Sequence, residues 1–75
     1  MPMNIEVLHE VCNADGLCLQ KGRWHWDDSA PSEGYRFIWR DDEGKLKPSR
    51  GQAYIPDRAT MLDLIQRATA AGWLR

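Results

Sequence analysis

The protein has 75 residues, of which 43% are hydrophobic and 28% are charged. This composition is too apolar for intrinsic disorder, and the length predicts one small domain over residues 1–75, whose thin core excludes a large buried active site. Ten Lys and Arg against eleven Asp and Glu give a formal net charge of −1, so the chain has no overall field that would attract a polyanion such as DNA.

The first predicted element is a β-hairpin over residues 3–26. In its first half Ile5 and Val7 alternate with polar residues, which is typical of a half-buried strand. Leu8 interrupts this alternation, and Ile5, Leu8 and Cys12 also align at helical spacing. A strand is the favoured interpretation of this segment, and a helix stays open as the alternative.

The turn of this hairpin is predicted at Asn13-Ala14-Asp15-Gly16, because Asp-Gly accommodates the positive φ angles that short hairpin connections need. The return strand is expected from Leu17 to about Trp26, with a bulge at Gly22. Residues 27–34 are rich in Asp, Ser, Pro and Gly, so they are predicted to form a loop.

A second strand-turn-strand unit is predicted over residues 35–55. Its first strand, residues 35–40, alternates aromatic residues on one face with mainly basic residues on the other, namely Tyr35, Phe37 and Trp39 against Arg36, Ile38 and Arg40. A polar turn at residues 41–44 lets residues 45–47 return antiparallel. A last short strand is expected at residues 52–55, before Pro56.

The last predicted element is a helix over residues 57–72. Apolar residues recur at i, i+3, i+4 and i+7 along one side, namely Met61, Leu64, Ile65 and Ala68. Asp57 is the predicted N-cap, and Gly72 is the predicted left-handed residue after the last turn. Together these elements predict a two-layer α+β fold, in which a three- to four-stranded antiparallel sheet is covered on one face by one C-terminal amphipathic helix. The opposite face of the sheet is then free to bind a partner.

Four tryptophans are more than such a thin core hides easily, and tryptophan and arginine are enriched at protein-binding hot spots. The sequence therefore favours a non-enzymatic interaction module that contacts a protein partner or a second copy of itself. An alternative, in which all four tryptophans form the core between sheet and helix, stays open. The candidate contact residues are Trp24, Trp26, Arg36, Trp39 and Arg40.

Nucleic-acid binding is the alternative function. A sheet that presents cations beside aromatic rings can hold phosphates and stack bases. Acidic residues in the adjacent loops, at positions 27–28 and 41–43, would repel phosphate, and a protein partner is favoured for this reason. The residues that would contact nucleic acid are Arg36, Arg40, Lys45, Lys47 and Arg50.

Metal binding or thiol chemistry is the third interpretation. His9, Cys12, Cys18 and His25 offer two imidazoles and two thiols, which zinc accepts, but the cysteines lack the short spacing of a zinc knuckle. No metal, cofactor or catalytic residue is therefore predicted. We predict no secretory leader, and the sequence contains no long apolar stretch, so we expect a cytoplasmic protein without membrane contact, whose two cysteines are free thiols.

Overall fold

The computed structural model of the protein describes residues 4–47 and 54–74. Three nine-residue strands form an antiparallel sheet in the order β1-β2-β3, and a C-terminal helix packs on one face of it, so the fold is α+β as predicted. A two-residue strand pairs with the end of β3. The elements are β1 (Asn4–Cys12), β2 (Leu17–His25), β3 (Ser32–Arg40), β4 (Leu46–Lys47) and α1 (Arg58–Ala70).

The first segment is a strand, which decides between the strand and the helix that the sequence left open. Its register with β2 shifts at Leu8, which is an extra residue next to the pair formed by Val7 and Gly22. The bulge that was predicted in β2 at Gly22 therefore lies in β1, on the strand opposite. Because an extra residue reverses the alternation of faces, Val7 points away from the helix whereas Val11 packs against the core.

The β1–β2 connection uses the predicted turn residues. Asn13 N–H donates to the carbonyl of Leu17 at 2.9 Å, and Asn13 Oδ1 accepts from the N–H groups of Asp15 and Leu17 at 3.0 and 3.1 Å. Gly16 has a φ of +99°, and a β-carbon built on it would lie 2.6 Å from the carbonyl oxygen of Arg40. Glycine is thus required here both by the backbone angle and by the approach of β3.

The second half of the chain departs from the prediction at three places. β3 begins at Ser32, three residues before the predicted strand, because Ser32 to Gly34 continue the pairing with β2. The polar turn at residues 41–44 is followed by the two-residue β4, whereas residues 45–47 were predicted to return antiparallel. The strand predicted at residues 52–55 lies partly outside the described residues, and its described part, Tyr54 and Ile55, forms no strand.

The core lies between α1 and the near face of the sheet. Leu17 and Leu19 of β2 are buried together with Leu64 and Ala68 of α1. Burial of one such leucine side chain stabilises the fold by about 1.5–3 kcal/mol. No helix in the described ranges combines the length and apolar character needed to cross a bilayer.

Both predicted ends of the helix are confirmed. Asp57 Oδ1 accepts from Thr60 N–H at 2.7 Å, and this hydrogen bond lowers the pKa of Asp57. Gly72 has a φ of +90°, and the N–H of Trp73 returns to the carbonyl of Ala68 at 3.3 Å. This hydrogen bond defines a Schellman end, which folds Trp73 back into the core.

Candidate binding surface on the open face of the sheet

The sheet face that points away from α1 is not covered by any described element, and we call it the open face. Register and alternation assign three groups of residues to it, one from each long strand. Trp26, which follows β2, joins them because its Nε1–H donates to Ser32 Oγ at 3.0 Å. The members of the open face are, from β1, Ile5, Val7, Glu10 and Cys12; from β2 and the residue after it, Cys18, Gln20, Gly22, Trp24 and Trp26; from β3, Ser32, Gly34, Arg36, Ile38 and Arg40; and from β4, Leu46.

A hydrogen-bonded row of four side chains, the polar row, crosses the three long strands at the centre of this face. Its middle member, Gln20, is only 1% exposed; its Nε2 donates to Glu10 at 2.6 Å and its Oε1 accepts from Arg36 Nε at 2.7 Å. Arg40 completes the row, because its Nε and Nη2 donate to the two carboxylate oxygens of Glu10 at 2.9 and 3.0 Å. Nη1 of Arg40 donates to the carbonyl of Gly44 at 2.6 Å.

The charges of the polar row are unequally matched. Glu10 neutralises Arg40, whereas Arg36 donates only to the neutral amide of Gln20 and forms no ion pair with a described carboxylate. Burial lowers the pKa of Arg36, Glu10 raises it, and Arg40 lowers it. Arginine nevertheless stays protonated in proteins. The open face therefore presents a partly desolvated cation whose two Nη groups donate to no residue in the described part of the chain.

An aromatic and aliphatic patch lies on one side of the polar row. Gly22 and Gly34 pair with each other, and Cζ3 of Trp24 lies 3.3 and 3.5 Å from the positions that their β-carbons would take. The indole of Trp24 thus rests on the sheet where two side chains are missing. Val7 and Trp26 extend this patch and are 41% and 36% exposed.

A disulfide between Cys12 and Cys18 lies on the other side of the row, next to Ile38. The prediction of free thiols is wrong, because the hairpin register puts the two cysteines directly opposite each other, with α-carbons 4.0 Å apart. Disulfides persist mainly in oxidising compartments. The cysteines therefore no longer support the expectation of a cytoplasmic location.

The four side chains considered as zinc ligands do not converge. His9 lies on the helix side, where its ring stacks on Trp73 with 5.6 Å between centroids, and His25 pairs with Glu6 at 3.4 Å. Glu10 offers an oxygen within 4.8 Å of both sulfurs. Those sulfurs are bonded to each other, and Glu10 is held in the polar row, so this group has no free donor for a cation.

The residues predicted to bind a protein partner are divided between the two faces. Trp24, Trp26, Arg36 and Arg40 belong to the open face. Trp39 lies on the helix side, packs against the core, and donates its Nε1–H to the carbonyl of Tyr54 at 2.8 Å. The structure therefore brings four of the five candidates together.

The residues predicted to bind nucleic acid are more dispersed. Beside the two arginines of the open face, Lys45 pairs with Glu43 at 3.6 Å in an exposed turn. Lys47 takes the register position opposite Trp39, and Arg50 lies outside the described residues. These five residues do not form one described basic surface.

A charged cluster on the helix side of the sheet differs from Arg36, because each of its basic side chains is paired with a carboxylate. Arg23 pairs with Glu33 at 3.1 Å and with Glu6 at 3.4 Å, and Lys21 pairs with Glu33 at 3.8 Å. The hydrogen bond and charge of Glu33, together with the charge of Glu6, raise the pKa of Arg23. This cluster is neutralised internally, so it presents no unpaired cation.

Sequence reasoning missed the two residues that hold the arginines, Glu10 and Gln20. The signal was the hairpin register, since a turn that closes at Asn13 and Leu17 places Glu10 opposite Gln20 and Cys12 opposite Cys18. Comparison with models of protein families, with curated proteins and with solved structures gives no match. The geometry of the open face is therefore the basis for a functional proposal.

Proposed function

We propose that this protein is a non-enzymatic protein-interaction module that binds a partner on its open face. The observation that carries the proposal is the guanidinium of Arg36, which has no ion pair among the described residues and lies between an apolar patch around Trp24 and a second one formed by Ile38 and the disulfide. One patch includes the exposed side chains of Trp26 and Val7. Tryptophan and arginine dominate protein-binding hot spots, and association is favoured when a partner covers apolar surface and neutralises a charge.

Nucleic-acid binding is the second candidate function. Arg36 beside the indole of Trp24 offers a cation for a phosphate and a ring for a base. The charge balance favours a protein partner instead, because Glu10 neutralises Arg40 and the adjacent turn is acidic at residues 41–43. Nucleic-acid affinity grows with the number of phosphates that cations neutralise, and among the described residues of the open face only Arg36 is an arginine without an ion pair, which supplies few contacts.

A peptide selection followed by mapping tests the proposed function. A random-peptide phage library is selected on the immobilised, oxidised protein, and enriched peptides are titrated into isotope-labelled protein. We expect amide shifts at open-face residues of β1, β2 and β3. Trp26→Ala is expected to weaken binding by about tenfold or more.

Tyr54→Ala is the matched control, because Tyr54 is an aromatic residue that is 74% exposed and lies near Trp39 on the helix side. This substitution is expected to leave binding unchanged. Peptide-induced shifts confined to α1 or the loops would contradict the proposal. Binding of short oligonucleotides alone, weakening steeply with salt, would favour the second candidate.

The predicted cytoplasmic location stays a prediction. Trapping Cys12 and Cys18 with an alkylating reagent in intact cells tests it, since a reducing compartment keeps cysteines as thiols. A disulfide recovered from such cells would contradict a cytoplasmic location.

A further inference from the structure

The guanidinium of Arg36 is held in one orientation by the rest of the polar row. Its Nε–H donates to Gln20 at 2.7 Å, and the buried Gln20 is tied to Glu10 at 2.6 Å. Glu10 is fixed in turn by two hydrogen bonds from Arg40. A side chain that is already ordered loses little further conformational entropy when a ligand binds to it.

The polar row also lacks one negative charge. Glu10 serves Arg40, so the two arginines share a single carboxylate, whereas Arg23 on the other face pairs with two. A cation that is partly removed from water and only partly neutralised by a shared carboxylate costs free energy. An anion supplied by a ligand would remove that cost, and the two Nη groups of Arg36 match the two oxygens of a carboxylate.

The neighbours of Arg36 determine which anion fits. On one side the indole of Trp24 covers Gly22 and Gly34, and on the other side Ile38 lies next to the disulfide. Such apolar neighbours accept the side chains that flank an acidic residue in a peptide. A nucleic-acid strand carries a phosphate on every nucleotide and would need further unpaired cations along the face.

We infer that the open face recognises an acidic peptide segment of a partner protein, with an Asp or Glu side chain on the Nη groups of Arg36 and an apolar neighbour against Trp24. This inference rests on the proposed function and adds the chemistry of the partner. It also assigns a positioning role to the buried Gln20 and to Glu10 at the surface, since they orient Arg36 without touching the ligand.

The test compares one peptide with its neutral counterpart. The strongest-binding peptide from the library selection is synthesised, together with a version in which every Asp and Glu is replaced by Asn or Gln. Both are titrated into the wild type, Arg36→Gln, Arg36→Lys and the matched control Arg58→Gln, which removes an exposed arginine in the first turn of α1. The amide spectrum of each variant checks that it is folded.

We expect Arg36→Gln and the neutral peptide each to weaken Kd by about tenfold or more, because each removes the same charge-assisted hydrogen bonds. Their effects should not add, since the neutral peptide has no carboxylate for Arg36 to bind. Arg36→Lys keeps the positive charge but cannot donate two parallel hydrogen bonds to one carboxylate, so it should bind the acidic peptide more tightly than Arg36→Gln but less tightly than the wild type. Arg58→Gln should change Kd by less than about twofold.

The outcomes separate this inference from the proposed function. Peptides that bind the open face equally well after loss of their acidic residues would overturn the acidic partner and leave the interaction module standing. Peptides that never shift open-face residues would overturn both. Oligonucleotides that bind the open face more tightly than any peptide, and lose affinity in Arg36→Gln, would replace the acidic peptide with a nucleic acid.

Discussion

Two glycines in equivalent turns allow a matched test of how the sheet is assembled. Gly16 and Gly44 are each the last residue of a turn in which the side chain of the first residue accepts two backbone N–H groups, and their φ angles are +99° and +80°. A β-carbon on Gly44 would meet nothing within 4 Å, whereas one on Gly16 would lie 2.6 Å from the Arg40 carbonyl oxygen. Arg40 N–H also donates to the Gly16 carbonyl at 2.8 Å.

Gly44→Ala should therefore cost only the penalty for a left-handed residue with a β-carbon, about 1–2 kcal/mol. Gly16→Ala carries the same penalty, and it also displaces the backbone of β3 and weakens the hydrogen bond from Arg40. We expect a total of about 3 kcal/mol or more. The free energy of unfolding is measured by urea denaturation of the oxidised protein, with tryptophan fluorescence as the signal that monitors unfolding. Equal losses in the two variants would refute the close approach of the first turn to β3.

Three further predictions concern the helix cap, the disulfide and the tryptophans. Asp57→Ala should lower the urea midpoint at neutral pH. Because the pKa of Asp57 lies below its ordinary 3.8, the stabilisation by its carboxylate is complete above that pH and is lost as the pH falls through the folded-state pKa. If the urea midpoints of the wild type and Asp57→Ala differ as much in acid as at neutral pH, this explanation is contradicted. Reduction of the disulfide, which joins residues six positions apart, should cost about 2 kcal/mol of loop-closure entropy; an unchanged midpoint with both thiols verified by mass would be inconsistent with it. Trp73→Ala should lower the free energy of unfolding by about 3–5 kcal/mol, because Trp73 is only 8% exposed and lies in the core. Trp26 is more exposed, so Trp26→Ala should lower it by less than about 1 kcal/mol. Urea denaturation that gives the opposite order would place Trp26, not Trp73, in the core.

Features that depend on neighbouring residues could be predicted from the sequence. The cap at Asp57, the helix end at Gly72 and the turn at Asn13 to Gly16 are set by hydrogen bonds and φ angles within a few residues. The alternation from Tyr35 to Arg40 also gave the correct division of that strand into two faces. The same alternation already separates Trp39 from Arg36 and Arg40, so the five candidate contact residues could not all share one face. What alternation does not give is which face the helix covers, and therefore that Trp39 packs against the core.

Features that depend on strand pairing were harder to predict. The disulfide and the contact between Glu10 and Gln20 follow from the hairpin register, which a prediction of strands alone does not contain. The extra residue at Leu8 reverses the faces of β1, and the sequence marked this position only as an interruption. The binding surface is assembled across three strands, so its composition required the register of all of them.

The side-chain resonances of Arg36 provide the most direct measurement of the role of the open face. The Nε–Hε and Nη signals of Arg36 and the indole signal of Trp26 are followed while an acidic peptide or a short oligonucleotide is added at low and at physiological salt. We expect the peptide to shift these signals at both salt concentrations, because its carboxylate seats directly on the guanidinium between apolar side chains. Peptide binding that leaves Arg36 unmoved, or shifts produced only by the oligonucleotide and abolished by salt, would contradict recognition of an acidic partner on this face.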